Sequence, residues 1–255
     1  MLGRIITGVS LAAIAAALAI FLAGPGVRFG LWSVTAGLGV LLGAAIPVVV
    51  LALLSLIALA TAFFKKKSHL PIAAIAFAMS GGASLVPILM ASAASKVPSI
   101  HDITTDASNP PRIVAGALAE RANPADYVGR DPAPGSTPPM LISEAQTLAY
   151  PDIAPLDVKG SSLDVAARAK AVIEEMGMTV IGEGDELGIQ TVEAVATSFW
   201  FGFKDDFVVR VSETGEGRSR IDIRSKSRVG LSDLGANAKR IRDFATAYGK
   251  AEAAS

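Results

Sequence analysis

Along the first ninety-five residues one pattern recurs three times, a long run of Ala, Leu, Val, Ile and Gly without a formal charge. The runs cover residues 5–27, 29–64 and 70–95. A bilayer core takes about 20 residues of helix, so each run is long enough for one crossing. The middle run exceeds that need. Its spanning part is expected over residues 38–64, with Gly30–Gly37 at the interface beside Trp32. A second reading has two spans behind a cleaved signal peptide, because Arg4, the first apolar run and Ala23-Gly24 loosely imitate one.

After Ser95 the pattern breaks. Residues 96–160 are polar and carry Pro98, Pro110, Pro111, Pro124, Pro132, Pro134, Pro138, Pro139, Pro151 and Pro155. Proline fixes φ and lacks a donor, so long regular elements are not expected there. A short helix over residues 113–121 would put Ile113, Ala117 and Leu118 on one face. From Ser161 the periodicity returns. Leu163, Val165, Ala166, Ala169, Val172, Ile173 and Met176 mark one helix face, and Gly177 ends it. Residues 179–181 and 188–196 read as strands joined through "GEGDEL", and residues 207–211 and 220–224 as a second hairpin around "ETGEGRS". Ser232 is expected to cap a helix over residues 233–250, with Leu234, Ala238, Ile241, Phe244 and Ala245 inward. The expected fold class is α+β: an antiparallel four-stranded sheet with two flanking helices in a core of residues 161–250, preceded by three transmembrane helices. The Pro-rich segment 96–160 should belong to the same domain, draped over the core or acting as a spacer.

Charge sharpens this division. Residues 1–95 hold Arg4, Arg28, Lys65, Lys66 and Lys67 and no acidic residue, so the formal net of zero hides an acidic remainder. That balance argues against nucleic acid, which needs a basic face. The Lys triplet between the second and third runs, with Arg4 before the first, predicts a cytoplasmic N-terminus and an exported C-terminal domain. In a bacterium this means a periplasmic domain on the inner membrane. Pro47, Pro87 and Gly81-Gly82 could break helices as transporter sites do, but the spans lack Asp, Glu, Lys, Arg and His. Gly39 and Gly43 have the spacing of close helix packing, and an anchor is the expected role.

The chain has no cysteine, which excludes disulfides, a thiolate nucleophile and cysteine metal ligands. No phosphate loop, dinucleotide fingerprint or paired-histidine metal motif appears, and no cofactor, metal or catalytic residue is expected. His101, Asp102 and Asp106 are the nearest approach to a metal set, short of a second imidazole. The aromatic run Phe199–Phe203 fits sheet packing better than a stacking platform.

The densest polar chemistry lies between Asp205 and Asn237. In "RIDIRSKSR" the alternation puts Arg220, Asp222, Arg224, Lys226 and Arg228 on one strand face and Ile221 and Ile223 on the other. Arg210 should share that polar surface, as should Glu193 from an earlier strand. Asp205, Asp206, Arg210, Asp222 and Asp233 are expected to form a structural polar cluster, with the two adjacent aspartates facing opposite sides. At the following helix start, Arg224, Arg228, Ser232 and Asn237 are candidates for holding a small anionic ligand, with ordinary capping as the alternative.

"PSIHDITTDASNPPR", "YPDIAPL", "VEAVATSFWFGFKDDFVVRV" and "DIRSKSRVGLSDLGANAKRIRDF" resemble, in order, the blocks of the DUF1499 family of uncharacterised domains over residues 97–248. The resemblance implies domain limits and an envelope setting, and no reaction. The expected role is a membrane-anchored extracytoplasmic module that binds an envelope protein or a small ligand. The alternative is a periplasmic hydrolase using Asp205, Asp206 and His101.

Overall fold

The computed structural model describes residues 1–253, which form two compact units. The first comprises Met1–Ser92 with Phe199–Gly202. Its helices are α1 (Leu2–Arg28), α2 (Val34–Lys65) and α3 (Leu70–Ala94), all three long and apolar enough to cross a membrane. The middle helix begins at Val34, because Ser33 accepts a hydrogen bond from the Ala36 N–H and caps it. Small residues make the close contacts: Ala58, Ala62 and Ala73 are buried with Ile6. Ser55 and Ser80 meet side chain to side chain at 3.1 Å while bonding back to their own helices. Leu42, Ile46, Ile57 and Leu89 stay exposed, as residues of a lipid-facing surface would.

The second unit is an α+β domain whose antiparallel sheet has six strands, not four. Four of them follow the hydrophobic alternation: β3 (Thr179–Glu186), β4 (Ile189–Thr197), β5 (Lys204–Gly215) and β6 (Arg218–Ser227). The other two come from the Pro-rich segment. β1 (Asp102–Thr104) and β2 (Leu156–Lys159) both pair antiparallel with β6, one after the other along its outer edge. At three and four residues they are too short to carry a readable period, and the open edge of β6 organises them.

Helix α5 (Ser162–Glu175) is capped by Ser161, which accepts from the Asp164 N–H. It packs with α6 (Ala236–Ala253) on one sheet face. Val165, Ala169, Val172, Ile173, Ile241 and Phe244 meet Phe207, Val209, Ile221 and Ile223 there. The last helix starts three residues later than residue 233. Leu234 (φ 53°) and Gly235 (φ 85°) lie in the left-handed region and interrupt the turn. The cap moves accordingly: Asp233 accepts from the Gly235 and Asn237 N–H groups at 2.8 and 2.9 Å, while Ser232 accepts from the Leu234 N–H at 3.3 Å.

The helix expected over residues 113–121 is only a 3-10 turn, Ala115–Leu118, with Leu118 almost wholly exposed. With Leu118 outward the segment has no apolar stripe to bury, so packing cannot sustain a helix. A helix without a counterpart in the sequence reading, α4 (Ile142–Ala149), follows instead; Glu144 closes its first turn on the Leu141 N–H at 2.7 Å.

Candidate functional site

Strand alternation gives the sheet two chemically different faces. Opposite the helices, residues 106–131 cross the sheet as an irregular strap. Its backbone lacks a ladder of its own, so its polar groups need partners from elsewhere. Charged side chains of the sheet supply them.

Asp102 on β1 receives Arg224 Nε at 2.8 Å and Nη2 at 2.9 Å, and Lys226 Nζ at 2.9 Å. These three side chains are at most 2% exposed. Arg224 also donates to the carbonyls of Pro111 and Ala125, and Lys226 to that of Asp126. The second carboxylate oxygen of Asp102 accepts from the Val128 N–H at 3.2 Å. Burial, reinforced by the Arg224 and Arg121 charges, holds the Lys226 ammonium below its usual pKa against the pull of Asp102.

A second knot forms around Asp206. Arg228 donates to its Oδ1 through Nε (3.0 Å) and Nη2 (2.6 Å). Arg121, from the strap, forms an ion pair with Oδ2 at 3.0 Å and donates to the carbonyls of Gly116 and Asn123. Gly116 has to be glycine here, because a Cβ would lie 2.5 Å from Asp206 Oδ1. Beside it, the Glu193 carboxylate accepts from the N–H groups of Val114, Ala115 and Gly116. Gly182 lets the same turn approach the sheet, since its Cβ would meet that of Ala115 at 2.7 Å.

Farther along the face, Arg210 and Arg220 share Asp222 at 2.8 and 3.0 Å, and Arg220 reaches Asp106 at 3.0 Å. The Ser108 hydroxyl, donating to Asp106, lowers the pKa of that carboxyl.

Asp205 points the other way. It meets Arg240 of α6 at 2.7 Å, and Arg240 continues to Ser225 and Asn237. Asn237 accepts from Ser225 and donates to the Ser227 hydroxyl and the His101 carbonyl. Burial raises the pKa of Asp233 nearby.

The sequence-selected residues therefore fall into two groups. Arg224, Arg228, Asp206, Arg210 and Asp222 lie on the strap face; Asp205 and Asn237 lie on the helix face, and Ser232 and Asp233 precede α6. The sheet separates Arg224 and Arg228 from Asn237, so these three do not converge on one ligand. His101 Nδ1 lies 3.3 Å from the Leu231 carbonyl, and among the described residues no hydrogen bond joins it to Asp205 or Asp206. Asp102 and Asp106, considered as metal ligands, are instead paired with cations. Among the described residues no group of three or more His, Cys, Asp or Glu side chains is placed to hold a metal.

Two members of the strap network have other parts than the sequence suggests. Arg121 ends the expected short helix in sequence and lies in irregular chain in the structure. Asp102, a candidate metal ligand by residue type, shows its role as a cation partner only once β1 is seen opposite Lys226.

A family model described as a protein of unknown function, DUF1499, matches residues 102–247. No curated protein matches the sequence.

Proposed function

Because the chain belongs to the DUF1499 family, whose description assigns no activity, we propose a role from its architecture: a membrane-anchored module that holds a partner or small ligand in the cell envelope. The observation that carries this reading is the state of the carboxylates. Asp205 and Asp206 lie on opposite faces and each is tied to arginine, while Glu193 is saturated by backbone N–H groups. Hydrolysis by general acid and base needs two groups that converge on one substrate and are free to exchange protons. A fixed ion pair with a guanidinium, which stays charged at any working pH, gives neither.

The membrane side follows from charge. Lys65, Lys66 and Lys67 join the second and third spans, so positive-inside bias favours an exported domain, in a bacterium a periplasmic one. Recognition then rests on the domain's outer surface. Its apolar groove of about 440 Å³, between Val97, Pro134, Met140 and Leu148, would suit an apolar segment of an envelope protein.

The natural absence of cysteine makes the sidedness testable. Leu118→Cys, at a nearly fully exposed position, should react with a membrane-impermeant maleimide in cells with an intact inner membrane. Ser68→Cys, beside the Lys triplet, should react only after that membrane is opened. The reverse pattern would overturn the topology. Turnover of simple ester or phosphate substrates by the purified chain, lost in Asp205→Asn, would overturn the non-catalytic reading.

A further inference from the structure

Phe199–Gly202, four of the six residues between β4 and β5, belong to the same compact unit as the membrane helices, and they meet α1 at a notch. The notch has two causes in the sequence. Pro25 has no N–H, so the Phe21 carbonyl four residues earlier lacks its helical donor. Gly24 has no side chain, so the helix surface is open beside that carbonyl. Trp200 fills both: its indole Nε1 donates to the Phe21 carbonyl at 3.3 Å, and a Cβ on Gly24 would lie 2.7 Å from the indole ring. Arg28, at the end of the same helix, donates to the Phe199 carbonyl at 2.7 Å and holds its guanidinium 5.8 Å from the Phe199 ring centre. Phe199 itself is 90% exposed, and Phe29 and Leu31, which follow Arg28 in the chain, are 73% exposed each.

We propose that Phe199–Gly202 is a second membrane contact, an interfacial anchor in which Trp200 locks the loop to α1 and Phe199 enters the boundary between phospholipid headgroups and acyl chains. Aromatic rings with a polar or cationic neighbour are stable at that depth, where one side is apolar and the other wet. The chemistry fits a lipid surface better than water, since exposed Phe199, Phe29 and Leu31 gather at the end of a spanning helix with an arginine among them. Trp32, the only other tryptophan, docks on the same helix, donating to the Ala23 carbonyl at 3.1 Å. Two indoles thus grip the same end of one span.

This inference rests on the anchor reading, and the test keeps the two apart. The full chain is reconstituted in vesicles of phosphatidylcholine and phosphatidylglycerol, and flotation first shows whether it is membrane-bound. Trp32→Phe then leaves Trp200 as the sole fluorophore. Phosphatidylcholine brominated near the headgroup end of its chains should quench Trp200 more than lipid brominated deep in the bilayer, and aqueous iodide should quench it less than free tryptophan. Should Trp32→Phe not fold, the difference between wild type and Trp200→Phe gives the same readout. Gly24→Leu, which fills the notch, should keep the protein in floating vesicles while reducing the lipid quenching of Trp200. Failure to float would overturn the anchor. Floating protein with Trp200 open to iodide and indifferent to brominated lipid would overturn the loop contact alone, as would shielding by a second copy, seen as cross-linked dimer without lipid quenching.

Discussion

The two faces of the sheet are covered by segments of different kinds, and the difference explains where the charges are. Helices α5 and α6 satisfy their own backbones, so apart from Asp205, Ser225 and Ser227, which bond to side chains of α6, the strands beneath them present bulk: Phe207, Val209, Ile221 and Ile223. The strap of residues 106–131 has no such self-sufficiency. The strands beneath it present Arg224, Lys226 and Glu193, whose partners include seven strap backbone groups: the carbonyls of Pro111, Ala125 and Asp126, the N–H groups of Val114, Ala115 and Gly116, and, through Asp102, the N–H of Val128. Buried charge here serves to bind irregular chain. A buried ion pair is often no more stabilising than an apolar replacement, so its value lies in fixing one arrangement of the strap.

The broadest test of that comparison asks whether both faces belong to one self-sufficient fold. Every buried member of the apolar core cluster lies at or after Ile100. Residues 93–255, expressed without the spans, should therefore be soluble and melt cooperatively. A fragment without near-UV signal or a cooperative transition would mean that the spans complete the domain.

Within that fragment, single lesions on the two faces should match in size and differ in kind. Asp102→Ala leaves Arg224 and Lys226 buried without their carboxylate and should cost about 3–5 kcal/mol in urea denaturation. Phe244→Ala opens a cavity under α6 and should also cost about 3–5 kcal/mol. Limited proteolysis separates them: the strap should be cleaved in the first variant and protected in the second. The triple variant Asp102→Leu, Arg224→Met, Lys226→Met should regain only part of the loss, because the Pro111, Ala125 and Asp126 carbonyls lose their donors. Full recovery would show that the charges do not hold the strap.

The helix face was legible in the sequence because α5, α6 and the strands from β3 to β6 each show a period. The alternation in β6 was also enough to put Arg220, Asp222, Arg224, Lys226 and Arg228 on one side. Draping of the Pro-rich segment over the core was one expectation, but its path and its partners were not legible. A strap held by charge-to-backbone hydrogen bonds has no periodicity, and most of its partners lie more than 75 residues away, as Glu193 from Val114. The same blindness displaced the start of α6. Ser232 is a good capping residue by type, yet the left-handed backbone at Leu234 and Gly235 gives that task to Asp233.

That reassignment predicts a smaller effect. Asp233→Ala should lose about 0.5–2 kcal/mol as a lost cap. Ser232→Ala should lose less, its single bond being long and local. Equal losses would return the cap to Ser232.

The finest distinction concerns Tyr127 in the strap. Its ring lies 5.4 Å from the Arg224 guanidinium, and its buried hydroxyl has no hydrogen-bond partner among the described residues. Tyr127→Phe keeps the ring and removes an unsatisfied polar group, so at neutral pH stability should be unchanged or slightly raised. Alkaline pH should reveal the hydroxyl. Burial, with the Asp102 charge adding to it, pushes its pKa from 10.0 up to about 12. Between those values the folded chain keeps a proton that the unfolded chain has released. The stability linked to this group is thus fully present below pH 10 and is lost as pH rises through 12. Phenylalanine has no such loss, so the variant's melting temperature should gain on wild type across that window. Tyr150 and Tyr248 have pKa values raised by burial too, but they are common to both proteins and cancel in the difference. A difference that stays flat with pH would place the Tyr127 hydroxyl in water, and with it the edge of the strap.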